Sequence, residues 1–168
     1  MIDRPRYAGI GSRNVRPGVS GRCVLVARKM REDGYVLRTG GAVGCDQAFA
    51  RGAAGLYELY LPWADYERDT FPEPDLHTDE PVILSSPSLA AMRMAADHHP
   101  TPHRLTRAAL RLHARNCHIL LGPRLDSPVE RVICWTEDER RGGTAFGISM
   151  ARKLDIPVEN LAASSTLF

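Results

Sequence analysis

Long apolar runs and an excess of charge of one sign are both missing from this 168-residue sequence. No run of about 18 apolar residues occurs, which excludes a transmembrane helix, and residues 1–6 lack the apolar core of a secretory signal peptide. The 22 basic and 20 acidic side chains leave a net charge of +2, which argues against a densely basic surface for non-specific nucleic-acid binding. We therefore expect a cytoplasmic protein with no membrane partner.

Cysteine is also scarce, and histidine shows no metal-binding pattern. The four cysteines stand among apolar residues and lack Cys-x-x-Cys spacing, which predicts buried free thiols in a reducing compartment. His98, His99 and His103 are close in sequence, but two prolines interrupt them. A metal site needs ligands in a helical or paired pattern with a carboxylate or thiolate partner. We expect neither a metal ion nor another cofactor.

Apolar runs and amphipathic segments alternate along the chain. Short apolar runs that end near turn residues predict strands, and apolar residues that recur every three or four positions predict helices. The predicted strands are residues 7–10, 35–37, 57–61, 132–135 and 157–161. The predicted helices are residues 17–33, 45–54, 86–96, 106–112 with an extension towards 118, and 143–154. This alternation predicts one α/β domain with a mainly parallel sheet covered by helices on both faces.

Residues 62–104 stand out by composition. The stretch 61–80 contains seven acidic residues, one basic residue and three prolines, which is typical of a surface loop. A loop of this length in a compact domain is usually functional or mobile. We predict that about residues 62–104 form an irregular insert, either a lid over a site or an arm used in oligomer contacts.

Three small-residue loops follow predicted strands, and each precedes a helix. In an open parallel sheet, ligands bind at the carboxyl ends of the strands, where glycine lets the backbone approach and helix N-termini attract anions. The first loop contains Gly9, Gly11, Ser12 and Arg13. Ser12 can donate to a phosphate and Arg13 can pair with it in a bidentate way, although the same residues also suit a tight turn with an exposed arginine.

The second loop runs from Thr39 through Gly40, Gly41 and Ala42 to Asp46. Its glycines leave backbone amides free for a ligand, but its spacing matches neither the GxGxxG motif nor a P-loop. Asp46 stands in the first turn of the next predicted helix. It can cap that helix, or it can accept hydrogen bonds from a ribose hydroxyl or a base edge.

The third loop joins the strand that ends at Trp135 to the last predicted helix. Gly142, Gly143 and Thr144 follow two arginines and can form an anion-binding helix N-terminus. Trp135 can stack on a base or close the core. Three such loops at one edge of a parallel sheet predict a binding site for a phosphate-bearing ligand, above all a nucleotide.

Two groups of motifs carry a family resemblance. The first group comprises residues 7–13 (YAGIGSR), 34–42 (GYVLRTGGA), Asp46 and 50–53 (ARGA). It resembles the core of the DNA-processing protein A (DprA) group in the Smf/DprA–LOG (SLOG) superfamily. The second group comprises 114–116 (ARN), 121–122 (LG), Pro128, 134–136 (CWT), 142–144 (GGT), 156–158 (IPV) and 160–161 (NL). It resembles small phage-borne or prophage-borne DprA-like proteins. The resemblance spans about residues 5–162 and implies a Rossmann-like, doubly wound fold.

The superfamily resemblance implies ligands at the glycine loops but leaves the activity open. Some DprA-type members bind single-stranded DNA and load a recombinase, Lonely Guy-type members hydrolyse the N-glycosidic bond of nucleoside monophosphates, and others sense nucleotide-derived signals. The Lonely Guy motif PGGxGTxxE ends in a catalytic glutamate, whereas Gly147 stands three residues after Thr144 here. Glycosidic cleavage would need another carboxylate, for which Asp46 and Glu137 are the first candidates.

Three functional hypotheses follow. The first is a protein that binds a nucleotide or a nucleotide-derived signal, such as a cyclic or ADP-ribose-type molecule, as a sensor or sequestering protein. The second is a single-stranded DNA-binding, recombination-accessory protein. The third is a nucleotide N-glycosidase. In all three we expect Arg13 to hold a phosphate, and we expect a homo-oligomer because the relatives are commonly dimers or larger. A basic groove for DNA could use Arg4, Arg6, Arg13, Arg16 and Arg38.

Overall fold

A parallel β-sheet forms the middle layer of the protein. A computed structural model describes residues 3–70 and 82–163. Its strands in these ranges are β1 (Arg6–Gly11), β2 (Val36–Thr39), β3 (Tyr57–Tyr60), β4 (Val82–Leu84), β5 (Arg131–Trp135) and β6 (Val158–Asn160). They pair in the order β4-β3-β2-β1-β5-β6, and every neighbouring pair is parallel.

Helices cover both faces of this sheet. Within the described ranges the α-helices are α1 (Val19–Glu32), α2 (Cys45–Ala53), α3 (Leu89–His98), α4 (Arg107–Leu121) and α5 (Gly142–Lys153). α1 and α2 pack on one face, and α3, α4 and α5 pack on the other. The predicted α/β, Rossmann-like fold class is therefore confirmed. None of these helices combines the length and the apolar character needed to span a bilayer.

The alternation of side chains along β1 separates two hydrophobic cores. Tyr7 packs with residues of α1 and α2, whereas Ala8 and Ile10 belong to the cluster formed with α4 and α5. Successive residues of a strand point to opposite faces, so one short apolar run supplies both cores. The four cysteines are buried in these two cores as free thiols, as the sequence predicts.

Part of the segment predicted as an irregular insert has regular structure. Residues 82–84 form β4 at the edge of the sheet. Residues 89–98 form α3, which packs on α4 and corresponds to the helix predicted over residues 86–96. The sequence does not predict β4, because a three-residue apolar run beside an acidic, proline-rich stretch carries little periodicity. Residues 71–81 of the insert lie outside the described residues.

α4 is longer than the predicted helix and continues to Leu121. Thr106 caps its start, where Oγ1 accepts the Ala109 N–H at 3.1 Å. Every residue from 114 to 121 is buried, so the amphipathic pattern that marks a surface helix disappears over the last two turns. These buried turns carry the residues of α4 that reach the candidate site.

Arg6 and Arg38, which the sequence allowed in a basic groove, instead share one carboxylate within the sheet. Glu58 accepts hydrogen bonds from Arg6 Nε at 2.9 Å and from Arg38 Nε at 2.7 Å. Burial opposes ionisation of Glu58, but the hydrogen bonds from the two arginines and from Tyr60 outweigh it, so the pKa of Glu58 is lowered. Arg6 also pairs with Asp3, so both arginines have carboxylate partners, and the shared Glu58 links β1, β2 and β3.

The packing of α1 on α2 leads to a stability prediction. A Cβ on Gly52 would collide with the carbonyl oxygen of Val24, whereas a Cβ on Gly21 would meet nothing within 4 Å. We expect Gly52→Ala to lower the free energy of unfolding by about 1–3 kcal/mol through overpacking. Gly21→Ala, also in a helix, should raise it by up to about 1 kcal/mol. Chemical denaturation of both variants tests the packing, and equal effects would contradict it.

His113 of α4 lies in an aromatic contact between α4 and α5. Its ring centroid is 4.3 Å from that of Phe146 and 5.4 Å from that of His99. Its Nδ1 is buried and has no hydrogen-bond partner among the described residues. Burial lowers the pKa of His113 to about 4, and the charges of His99 and Arg115 act in the same direction.

The lowered pKa of His113 predicts acid sensitivity. The unfolded chain protonates this histidine near its ordinary pKa of 6.5, whereas the folded chain does so only near 4. Between these values the unfolded state binds more protons, so the free energy of unfolding falls as the pH falls from about 7 to about 4. His113→Leu should flatten this dependence, and His103→Gln on the surface should not. Denaturation curves at a series of pH values provide the test, and an unchanged slope in His113→Leu would refute the assignment.

Candidate ligand-binding site

A cavity of about 420 Å³ lies at the carboxyl ends of β1 and β5. The strand order reverses here, because the chain runs outward from β1 to β4 and then returns to β5 on the other side of β1. Ligands of open α/β sheets bind at this reversal. The predicted site residues that line the cavity are Gly11, Ser12, Arg13, Ala42, Asp46, Gly142, Gly143 and Thr144.

Backbone hydrogen bonds hold the first loop against its neighbours. The Ser12 N–H donates to the Trp135 carbonyl at 3.0 Å, and the Cys45 N–H donates to the Ser12 carbonyl at 3.1 Å. Gly11 has no room for a side chain, because a Cβ there would collide with Cys45 and with the Trp135 carbonyl. The Ser12 hydroxyl donates to Thr136 Oγ1 at 3.3 Å, so two hydroxyls lie together in the cavity wall.

Asp46 joins the first two loops. It is 4% exposed, and its Oδ1 accepts the Gly11 N–H at 3.1 Å. Burial raises the pKa of Asp46, while Arg115 and the backbone N–H groups of Gly11, Ala42 and Gly40 act in the opposite direction. The N-cap position of α2 is taken by Gly44, and the backbone N–H groups that bind Asp46 belong to the two loops. Asp46 therefore does not act as the cap of α2; its carboxyl group links the first loop to the second.

Arg115 and Asn116 of α4 line the cavity although the sequence analysis does not place them in a site. Arg115 is buried, with 6% exposure. It donates through Nη1 to the Gly40 carbonyl and through Nε to Asn116 Oδ1. Its guanidinium carbon lies 5.5 Å from the centroid of the Tyr66 ring. Asn116 Nδ2 donates to the Gly143 carbonyl at 2.9 Å. α4 thereby connects the second and third loops. The available signal was an arginine–asparagine pair within an otherwise apolar segment that belongs to a resemblance motif.

The third loop brings a helix start without a side-chain cap to the cavity. α5 begins at Gly142, the side chain of Arg141 makes no capping hydrogen bond, and the first turn contains no acidic residue. Arg141 lines the cavity together with Gly142, Gly143 and Thr144. Because the first N–H groups of a helix have no partner within the helix, this arrangement of amides beside a cation suits an anion.

Four predicted residues of the first two loops do not line the cavity. Gly9 has no room for a side chain between β2 and α2, and Thr39 Oγ1 donates to the Gly9 carbonyl at 2.7 Å. The Gly40 carbonyl accepts from Arg115, and the Gly41 carbonyl accepts from a glutamine of α2 at 3.2 Å. These residues shape the loops from beneath.

Trp135 and Glu137 also lie outside the cavity lining. The Trp135 side chain is 5% exposed and packs in the core with α1 and α2, so it closes the core, as one of its two predicted roles requires. Glu137 is exposed and forms an ion pair with Arg16. Asp46 is therefore the one carboxylate among the described residues that line the cavity.

Gly147 stands three residues after Thr144, where the sequence resemblance leads us to look for the glutamate of the Lonely Guy motif. A Cβ here would lie 2.8 Å from Ile10 Cδ1 and 3.7 Å from Asn116 Nδ2, and both of these residues line the cavity. A glutamate side chain at this position would require Ile10 to move. The cavity thus has no carboxylate at the place where that motif would put one.

Two solved structures resemble this chain. DNA processing protein A from Helicobacter pylori, described for its single-stranded DNA binding mode, has a TM-score of 0.69 and 17% sequence identity, with 94% of this chain and 65% of that chain covered. The structural-genomics target TM1055 has a TM-score of 0.53 and 16% identity, with 92% of this chain and 72% of that chain covered. No family model and no curated protein matches the chain. At these identities the likeness is one of fold.

The position of Asp46 predicts a cost for a nearly isosteric change. In Asp46→Asn one oxygen becomes an NH₂ group, which cannot accept from backbone N–H groups. We expect this to lower the free energy of unfolding by about 1–3 kcal/mol, since buried donors lose their acceptor. Asp126→Asn, which removes an exposed ion pair with Arg124, should change it by less than about 0.5 kcal/mol. Urea denaturation measures both, and equal stabilities would contradict the role of Asp46.

Proposed function

We propose that the cavity binds the phosphate of a nucleotide or of a nucleotide-derived small molecule. The supporting observation is the convergence of Ser12, Arg13, Arg141 and the first turn of α5 on one cavity at the reversal of strand order. Hydroxyl, guanidinium and helix N-terminal amides are the groups that bind phosphate in proteins. Binding without chemistry fits a sensor or sequestering protein.

The remaining cavity wall suits a nucleoside. Ile10, Leu112 and the ring of Tyr66 provide apolar and aromatic surface, and the amide of Asn116 stands beside them. Tyr66 is fixed between Arg115 and Trp63, whose ring makes an edge contact with it at 5.1 Å. Small-molecule sites combine such surface with a few placed polar groups, and about 420 Å³ is within their usual range.

Single-stranded DNA binding is the second candidate. A shallow groove of about 440 Å³ shares Arg13 and Asn14 with the cavity and leads to Arg51. Together with the fold likeness to a DNA-binding protein, this groove offers a path for a strand that continues beyond one nucleotide. Membership of the SLOG superfamily and a homo-oligomeric state belong to the same proposal and stay predictions.

An N-glycosidase has less support. Such an enzyme needs a carboxylate to act on the glycosidic bond. Asp46 is committed to backbone amides, Glu137 lies outside the cavity, and Gly147 replaces the glutamate of the Lonely Guy motif. Release of free base from a nucleotide would reverse this ranking.

Native mass spectrometry with a pool of ribonucleotides, cyclic nucleotides, ADP-ribose and a short oligothymidine tests the proposal. We expect one intact small nucleotide to be retained. Arg13→Ala should weaken its binding about ten- to hundred-fold, the usual worth of a charge-assisted hydrogen bond. Arg16→Ala, which removes an exposed arginine outside the cavity, is the matched control. Retention of the oligothymidine alone would favour the second candidate, and retention of nothing would refute both.

A further inference from the structure

A carboxylate from outside the three glycine loops pairs with the arginine that we assign to the phosphate. Arg13 Nη2 forms an ion pair with Glu67 Oε1. The Arg13 side chain is 60% exposed, whereas that of Glu67 is 15% exposed. Glu67 follows Tyr66, which lines the cavity. The Glu67 carboxylate therefore occupies Nη2 of the guanidinium, one of the nitrogens through which arginine pairs with phosphate.

A short series of hydrogen bonds keeps Glu67 in place. Thr70 Oγ1 lies 2.9 Å from the Glu67 carbonyl oxygen and 3.1 Å from Glu67 Oε2. Gln47 Nε2 of α2 donates to Thr70 Oγ1 at 2.9 Å and to the Gly41 carbonyl at 3.2 Å. Gln47 is itself buried, so this series anchors Glu67 to the scaffold. Of the two ion-pair partners, the exposed Arg13 is the one that can reorient.

The backbone of Glu67 supports the same view. Its φ of 52° lies in the left-handed region, which residues with a side chain seldom adopt. Such a conformation persists where surrounding contacts enforce it, and it often marks a functional contact. The contacts available to enforce it are the hydrogen bonds with Thr70 and the ion pair with Arg13.

The charges around the cavity define what this ion pair does. Three arginines line the cavity: Arg13, Arg115 and Arg141. The positive charge of Arg115 is offset by the nearby carboxyl group of Asp46. With Glu67 on Arg13, the cation left for a ligand is Arg141 beside the start of α5. A phosphate that pairs with Arg13 through Nη2 has to displace the Glu67 carboxylate from that atom.

We propose that Glu67 is an internal competitor for Arg13, and that a ligand phosphate binds by displacing it. This inference rests on the proposed function of the cavity. Because every anion meets the same opposing carboxylate on Arg13, the contact raises the dissociation constant of all of them. Weakly held cellular anions then leave the cavity empty, and only a ligand with further contacts to the cavity wall occupies it.

Isothermal titration calorimetry with AMP, GMP, CMP and UMP, and with the four corresponding nucleosides, tests the proposal. Glu67→Gln removes the charge but keeps the shape. It should tighten binding of the monophosphates about two- to five-fold, the range that exposed ion pairs contribute. Binding of the nucleosides should not change, since they carry no phosphate. Thr70→Val, which loosens Glu67, should shift monophosphate binding in the same direction by less.

Glu139→Gln is the matched control, because Glu139 pairs with Arg152 away from the cavity lining. If wild-type protein binds a monophosphate and Glu67→Gln binds it equally or more weakly, the competitor proposal is wrong while the proposed function stands. Weaker binding would show that Glu67 orients Arg13. Equal tightening of nucleosides and monophosphates would also refute it. If neither protein binds any monophosphate, both proposals fail.

Discussion

The buried carboxylate of Asp46 is the contact on which the arrangement of the glycine loops depends. It lies in the first turn of α2, accepts the Gly11 N–H, and interacts with Arg115 and with the amides of the second loop. A buried charge is costly unless polar partners surround it. The ends of β1 and β2 and the buried part of α4 therefore have to meet at one point. The cavity lies beside this point and is bordered on another side by the first turn of α5.

Local charge, and not net charge, decides what this cavity can bind. The net charge of +2 describes the whole surface, whereas the arginines in the cavity wall act over a few ångströms in a partly water-excluded space. Several other arginines have carboxylate partners within the protein, such as Arg6 and Arg38 on Glu58. A balanced composition is therefore compatible with the anion site that we propose.

The fold likeness and the chemistry of the site carry different information. A parallel sheet with this strand order provides a ligand position at its carboxyl edge whatever the ligand is. What distinguishes this chain lies in single residues, such as Gly147 packed against Ile10 and Arg115 against the ring of Tyr66. Function has to be argued from these residues, because proteins with the same sheet bind different partners and perform different reactions.

The sequence by itself determined the fold class and the three loops, because both depend on local signals. The periodicity of strands and helices can be recognised within a few residues. Parallel strands also bring the loops that follow them to the same edge of the sheet. Local signals could not separate the lining residues Gly11 and Ser12 from Gly9 and Thr39, which support the loop from beneath.

Only the tertiary structure placed Trp135 in the core, Glu137 outside the cavity, and Arg115 and Glu67 beside it. Arg115 and Gly40, and likewise Glu67 and Arg13, are more than 50 positions apart, and no local pattern records a contact of that range. Such contacts are decided by how helices and loops pack together around the sheet.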